Sequence, residues 1–594
     1  QRAGRGGRTD GNSLVLAVAN ARPHDLYFYA EPEEMITGSV EPPRIFLRAT
    51  SVLARQFMAY CMDSWVKTGK ADVPLKLNQI LTALDGKDKK RFPYNYLHYV
   101  QDNLSRLVRT FIQTFNASAG GEDGLDEDAK KEIADFAMGD GKGDSSLHMK
   151  LLEEFRNIKA HKKSIQTNID ELNALIKQLE AKPKDSSYEE EMKELKGEVA
   201  ALGKVVKDIN EKNTFEFMSD QGLLPNYAFP ETGIVLKAIL YRGETPEEGE
   251  KPKGEKYTYE YSRSASSAIS EFAPLNSFYA GGKKLNIDQV DISTTKIERW
   301  RLCPSCSHAE LENSSKPHIS CDKCGSPGWG DAGQVRPMLK VQMVYSNMKY
   351  KESISSDDSD DRATKFYNKE MLVEVEDDRN IDPAYRMDNG EFPFGYEFVK
   401  KATMREINFG EKDLSGQKLF VAGEEAVRKG FTVCKYCGKI QLLGKSPQHT
   451  RYCRVVKDAN PMQEPYEECL FLYRQFTTEA IRILIPTTSL DTSRVRVESF
   501  VAAFMLGMKK KFGNIDHLRA TVSEVPVPDG DYRNRYLVIY DTVPGGTGYL
   551  RQLMNDKHGM IDVLQLAVDT MEKCTCKEDK NKDHVYVIGG LELN

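Results

Sequence analysis

Cys303-Pro304-Ser305-Cys306 and Cys321-Asp322-Lys323-Cys324 stand fourteen residues apart. Two such knuckles can wrap four thiolates tetrahedrally around one Zn²⁺, the chemistry of a structural zinc ribbon. A second set follows in Cys434-Lys435-Tyr436-Cys437, with His449 and Cys453 downstream. Three thiolates and an imidazole again close a tetrahedral shell, and a closed shell leaves no position for a catalytic water. Both sets read as structural zinc sites. Cys574-Thr575-Cys576 supplies two thiolates and cannot complete a site alone. Apart from Cys61 and Cys469, which read as plain buried thiols, the eleven cysteines fall in these close-set groups. Ligand spacing of this kind belongs to a reducing compartment rather than to a disulfide framework.

Other stretches imitate functional motifs. Gly438 with Gly444-Lys445-Ser446 looks like a phosphate loop, but five residues separate the glycines where four are required and no apolar strand precedes them. It reads as the loop of the second metal set, with Lys445 and Arg451 able to touch phosphates. Asp126-Glu127-Asp128-Ala129 follows a glycine loop instead of an apolar strand, so it is not a Mg²⁺ box. Asp357, Asp358, Asp360 and Asp361 read as a solvated loop. The run Arg535 to Asp541 reads as a strand feeding Pro544-Gly545-Gly546-Thr547-Gly548, with a helix from about Tyr549. Backbone N–H groups there could hold an anion, and a tight structural turn is the alternative.

The first eight residues are Gln1-Arg2-Ala3-Gly4-Arg5-Gly6-Gly7-Arg8. A guanidinium presents a rigid fork of donors that matches phosphate oxygens, and glycines let backbone approach closely. The octapeptide resembles the last motif of the superfamily 2 helicases. The resemblance implies that Arg5 and Arg8 are arginine fingers reaching a triphosphate from the second RecA-like lobe, with Gln1 and Gly4 beside the nucleotide. A disordered basic tail is the bland alternative. Opening inside a motif and without methionine, the chain is expected to be the C-terminal part of a longer protein. ATP and Mg²⁺ would then be shared with an upstream lobe carrying the phosphate loop and acidic box.

The expected architecture is multidomain α/β. Residues 1–45 read as the end of the second RecA-like helicase lobe, since Leu14 to Ala19 is a short apolar run of the kind that makes a buried parallel strand. Residues 46–145 read as a helical region. Residues 146–212 read as an antiparallel coiled-coil hairpin. Leu151, Phe155, Ile158, Lys162, Ile165, Ile169, Leu172, Ile176 and Leu179 alternate steps of four and three, and the rhythm resumes at Tyr188, Met192, Leu195, Val199, Leu202, Val206 and Ile209. The first arm would reach about 45 Å and serve as a strut, a partner contact or a wedge on nucleic acid. Residues 213–430 read as a β-rich region holding the four-cysteine zinc ribbon. Residues 431–594 read as a C-terminal zinc-binding α/β domain.

Composition fixes the broad class. The 594 residues are 40% hydrophobic and 29% charged, with a formal net charge of −6. Such a chain can bury about three or four cores. A net acidic balance argues against a uniformly basic nucleic-acid coat, so any contact with nucleic acid must be local. No apolar run approaches the roughly 20 residues of a membrane helix, which places the protein in the cytoplasm.

The arginine motif, both cysteine sets, Leu224-Pro225-Asn226-Tyr227-Ala228-Phe229-Pro230 and Tyr540-Asp541-Thr542-Val543-Pro544-Gly545-Gly546-Thr547-Gly548 together carry a wider resemblance. The chain resembles the large bacterial helicases that end in a zinc-binding domain: the MrfA-like repair helicases and the helicases of the Druantia (DruE-like) and DISARM anti-phage systems. The long insertion and the coiled coil lie nearest the Druantia type. The resemblance implies ATP-driven movement on DNA, on a single strand or a duplex with a single-stranded tail, with 3′ to 5′ polarity and possible partners from a defence system. The alternatives are a repair helicase of the MrfA type and a zinc-stapled adaptor that binds DNA or protein without hydrolysis. The family continues past C-x-C into a further G-C-x-x-C, whereas residues 577–594 contain no cysteine. A third zinc site is therefore incomplete, unless His584 completes it or the end of the sequence is altered.

Overall fold

The computed structural model describes residues 23–30, 32, 50–86, 89–117, 125, 127–139, 146–181, 188–225, 233–242, 255–292, 295–312, 319–353, 365–375, 378–386, 394–412, 418–442, 444, 446–453, 455, 465–485, 494–513, 515–527, 533–572, 586–588 and 591–593. The architecture is mixed α/β. Leu14 to Ala19, the segment Asn226 to Pro230 and the acidic cluster Asp357 to Asp361 lie outside the described residues.

After α1 (Pro23–Ala30), the helices α2 (Thr50–Val66), α3 (Leu77–Gly86), α4 (Tyr94–Asp102), α5 (Leu104–Ala117) and α6 (Glu127–Met138) build one apolar core. Its centre is aromatic. Trp65 stacks on Phe92 at 6.2 Å, and Phe92 meets the edge of Phe155 at 6.0 Å. Cys61 is fully buried there, and burial pushes its thiol up, away from the reactive thiolate.

Phe155 belongs to α7 (Ser146–Glu180), which pairs with α8 (Tyr188–Glu211). Ile165 and Ile169 share a core with Val205 and Ile209, whereas Leu172, Ile176 and Leu179 share one with Met192 and Leu195. That reversed order makes the two helices antiparallel. The buried line of α7 departs from the expected seam at two positions: Ile158 is half-buried, and His161, not Lys162, is the buried residue. Lys162 turns to the side and donates to Asn78 Oδ1 at 3.0 Å. A short helix, α9 (Thr214–Asp220), is capped by Asn213, whose side-chain oxygen accepts from the amides of Phe215 and Glu216.

The first sheet has the order β2-β1-β9-β5, using β1 (Ile234–Arg242), β2 (Glu255–Arg263), β5 (Gln289–Val290) and β9 (Met343–Lys349). Leu236, Ala238 and Leu240 alternate onto one face of β1. Helix α10 (Ala265–Glu271) and the hairpin of β3 (Ser277–Ala280) with β4 (Lys283–Asn286) contribute to the same core.

The second sheet runs β10-β12-β16-β8-β6-β7. Its strands are β6 (Glu298–Leu302), β7 (Ala309–Leu311), β8 (Val335–Lys340), β10 (Tyr367–Glu374), β12 (Gly395–Glu411) and β16 (Tyr466–Leu484). Branching from it are β11 (Ile381–Arg386), β15 (Phe431–Cys434), β17 (Leu518–Pro526) and β18 (Arg533–Asp541). Between β12 and β15 lies the small hairpin of β13 (Lys418–Val421) and β14 (Glu424–Val427). This one sheet draws strands from both sides of residue 430.

Strand alternation gives β16 and β18 two buried faces. Ile481, Ile483, Leu537 and Ile539 pack under α11 (Arg494–Phe512), α12 (Tyr549–Asn555) and α13 (Gly559–Glu572), while Ala480, Val538 and Tyr540 enter a separate core with Val399 and Met404. Cys469, expected to be buried, is half-buried on β16 with a positive φ of 54°.

Candidate metal centres

The first centre grows from the end of β6. Cys303 and Cys306 form one knuckle, closed by the Cys303 amide donating to the His308 carbonyl at 3.0 Å. Cys321 and Cys324 form the other, where Gly325 adopts φ 71° and its amide donates to the Cys321 carbonyl at 2.8 Å. Glycine suits that left-handed position because it has no Cβ to clash. Sγ of Cys303 lies 3.6 Å from Sγ of Cys324, and Sγ of Cys306 lies 3.7 Å from Sγ of Cys321. Four thiolates at Zn–S bonds of 2.3 Å would stand about 3.8 Å apart on a tetrahedron, so the donor set fits the ion. All four sulfurs lie within 4.8 Å of one another. Hydrogen bonds from Cys303 and Cys306 hold the Cys321 thiol well below its ordinary value. The hairpin β13–β14 locks the first knuckle through Ala422 and Gly423, whose amides donate to the carbonyls of Cys303 and Pro304 at 3.0 and 2.7 Å.

The second centre grows from the end of β15. Sγ of Cys434 and Sγ of Cys453 are 3.6 Å apart, and Nδ1 of His449 lies 3.9 Å from Sγ of Cys437 and 3.6 Å from Sγ of Cys453. The Cys434 hydrogen bond lowers the Cys437 thiol to about 4 despite burial, so this sulfur favours the thiolate that a metal needs. His449 faces the sulfurs with Nδ1, and its Nε2 meets the Tyr466 hydroxyl at 3.1 Å. The rings of His449 and Tyr466 stack at 5.6 Å. A ring nitrogen bonded outside the centre fixes which nitrogen faces inward. Tyr466 was not legible as a partner, because an aromatic at the start of a strand is an ordinary core signal.

The structure brings together every predicted donor of both sets: Cys303, Cys306, Cys321 and Cys324, then Cys434, Cys437, His449 and Cys453. Gln1, Gly4, Arg5, Arg8, Lys445, Cys574, Cys576 and His584 lie outside the described residues. Arg451, a candidate phosphate contact, instead places Nε 3.3 Å from Glu198 Oε1 on α8.

The glycine turn after β18 resolves toward a structural turn. Gly545 and Gly546 donate to the carbonyls of Thr477 and Val543, each at 2.8 Å. The Thr547 amide donates to Asp541 Oδ2 at 2.6 Å, and the Val543 amide to Asp541 Oδ1 at 2.8 Å. These four N–H groups are thus used inside the protein, with the buried Asp541 carboxylate standing where an outside anion would sit.

A cavity of about 310 Å³ beside the first centre is lined by Trp300, His308, Lys323, Glu374 and Arg405. His308 pairs with Glu374 through Nδ1. Burial pushes this imidazole down, and the Glu374 hydrogen bond and charge outweigh it, raising the group overall. Arg405 lies over the Trp300 ring at 4.6 Å. No local spacing in the sequence links these residues.

Residues 503–581, which include the second half of α11 and all of α12 and α13, match the family model of the MrfA Zn-binding domain. This segment is similar to the zinc-binding domain of the MrfA type. The chain is also similar to the Druantia protein DruE of Escherichia coli (strain UMEA 4076-1), at 21% identity over 624 aligned residues covering 97% of this chain. The chain spans about 30% of the length of that relative. A solved structure described as the DUF1998 helicase MrfA bound to DNA aligns with 62% of this chain and 36% of its own, at 9% identity and a TM-score of 0.26. Toward its C-terminal side the chain is thus similar to the MrfA Zn-binding domain, and over nearly its whole length it is similar to DruE. Both four-donor clusters lie outside the matched segment, whose own cysteines are Cys574 and Cys576. Among the described residues no helix is long and apolar enough to cross a membrane.

Proposed function

We propose that the chain is the rear part of an ATP-dependent DNA helicase or translocase of the MrfA/DruE kind, acting in the cytoplasm, in an anti-phage defence system. The observation that carries this reading is the match of residues 503–581 to the MrfA Zn-binding domain. Residues 1–45 close a RecA-like lobe, and Arg5 and Arg8, with Gln1 and Gly4 beside them, face the triphosphate of ATP bound with Mg²⁺ mainly on an upstream lobe. Their guanidinium forks stabilise the charge that develops on the transferring phosphoryl group. The partner is DNA, as a single strand or a duplex with a single-stranded tail, traversed 3′ to 5′. Residues 46–145 form a helical support, 146–212 a coiled-coil arm, 213–430 the region with the four-cysteine zinc centre, and 431–594 the zinc-binding α/β domain.

Each four-donor cluster holds one Zn²⁺ as a structural brace. The sulfur spacings and burial support this, and the donor sets are complete without water. The test is DNA-stimulated ATP turnover and strand displacement by the complete protein. Absence of ATP turnover, with or without DNA, overturns the motor reading and favours the adaptor. The complete, closed donor sets are what that second reading rests on.

A further inference from the structure

The second centre is wedged between two bodies. On the sheet side, Gln289 on β5 donates Nε2 to the Cys437 carbonyl at 2.7 Å, and the Val290 amide donates to the Gly438 carbonyl at 3.0 Å. The Ile440 amide donates to the Asp288 carbonyl at 3.1 Å, and Lys439 pairs with the Asp288 carboxylate. The approach is so close that a Cβ on Gly438 would lie 2.0 Å from the Val290 oxygen. On the other side, Tyr452 packs against the apolar cluster formed by Leu172, Ile176 and Leu179 of α7 with Met192 and Leu195 of α8. Arg451 pairs with Glu198 of the same helix pair.

Arg451 and Tyr452 occupy the short link between two donors, His449 and Cys453. The Cys453 amide turns back to the Thr450 carbonyl at 2.9 Å, so the link has little slack once its ends are held. The Tyr452 hydroxyl also hydrogen-bonds Gln289, the residue that holds the Cys437 carbonyl. One glutamine thus ties the metal knuckle and the arm contact to the sheet.

Resting on the reading that this cluster binds zinc, we propose that the Cys434, Cys437, His449 and Cys453 centre is the clamp that docks the α7–α8 arm on the β region. With the donors held, Arg451 and Tyr452 present a fixed surface to the middle of the arm. With the donors released, the link is free to unwind and the arm loses this contact. The lower part of α7 keeps a separate contact, where His161 is buried near Lys237 and Asp291. The outer half of the arm is therefore the part that answers to zinc.

Hydrogen exchange read by mass spectrometry on the zinc-loaded protein tests this, with zinc content measured on the same samples. Tyr452→Ala is expected to keep the zinc content of the parent while amides of residues 170–200 exchange at least tenfold faster, with residues 50–115 unchanged. Stripping zinc with a chelator produces the same pattern, and Cys303→Ser, which disables only the other centre, leaves the arm as protected as in the parent. Unchanged exchange over residues 170–200 in Tyr452→Ala overturns the clamp while leaving the zinc reading intact. A parent protein whose zinc content does not fall on Cys434→Ser overturns the zinc reading itself, and the clamp with it.

Discussion

Nε2 of His449 lies 3.1 Å from the hydroxyl of Tyr466, while Nδ1 of the same ring faces the sulfurs of Cys437 and Cys453. The tyrosine therefore orients a donor without touching the ion it would hold. Tyr466→Phe keeps the stacked ring and removes the hydrogen bond. Zinc affinity of the second centre is expected to fall roughly 10- to 100-fold, read by competition with a chromophoric chelator, and the first centre should keep its affinity. Equal affinity in parent and variant would contradict the orienting role.

Cys303→Ser and Cys434→Ser should each remove one zinc equivalent and lower the melting temperature or the yield of soluble protein, because a closed donor shell braces the fold. Zinc content and circular dichroism on heating measure both effects. A variant that loses zinc and activity but melts like the parent would show a catalytic site instead.

In the complete protein, Arg5→Ala or Arg8→Ala is expected to cut DNA-stimulated ATP turnover by roughly 10³- to 10⁵-fold, the range for arginine fingers. DNA binding without nucleotide should stay close to that of the parent. Near-normal turnover in both variants would remove Arg5 and Arg8 from the nucleotide site.

His161 is held down to about 4 by burial and by the charge of Lys237, with Asp291 opposing. The unfolded value is higher, so below it the unfolded chain takes up a proton that the folded protein refuses. The stabilisation is present above about pH 6.5 and is lost as pH falls through about 4. At most roughly 3 kcal/mol is at stake. Denaturant unfolding at several pH values should show a shallower loss across that window in His161→Gln than in the parent. Identical slopes would sink the assignment.

Cys303, Cys306, Cys321 and Cys324 were legible as one site because a zinc knuckle is local: spacing alone keeps its donors within reach, whatever surrounds them. The same holds for Cys434, Cys437, His449 and Cys453. The helical periodicity of α7 and α8 and the alternation of Ile481 and Ile483 were legible for a similar reason, since apolar spacing reports the period of the element that carries it.

Residues 146–180 show how far that goes. The repeat marks a long helix with one apolar line, yet it assigns the polar step to Lys162, because a lysine in the rhythm looks no different from a histidine beside it. Only packing chose His161, which is buried near Lys237 of β1 and Asp291 just after β5. The meeting of Gln289 with Cys437, of His308 with Glu374 and of Tyr452 with the α7–α8 core spans 148, 66 and more than 200 residues of chain. Donor spacing and periodicity are properties of a segment, so the amino-acid order carries them by itself. The partners of His449, His161 and Tyr452 depend on which surfaces meet when the sheet closes and the arm docks. That is decided by the summed burial of many residues, which no short segment encodes.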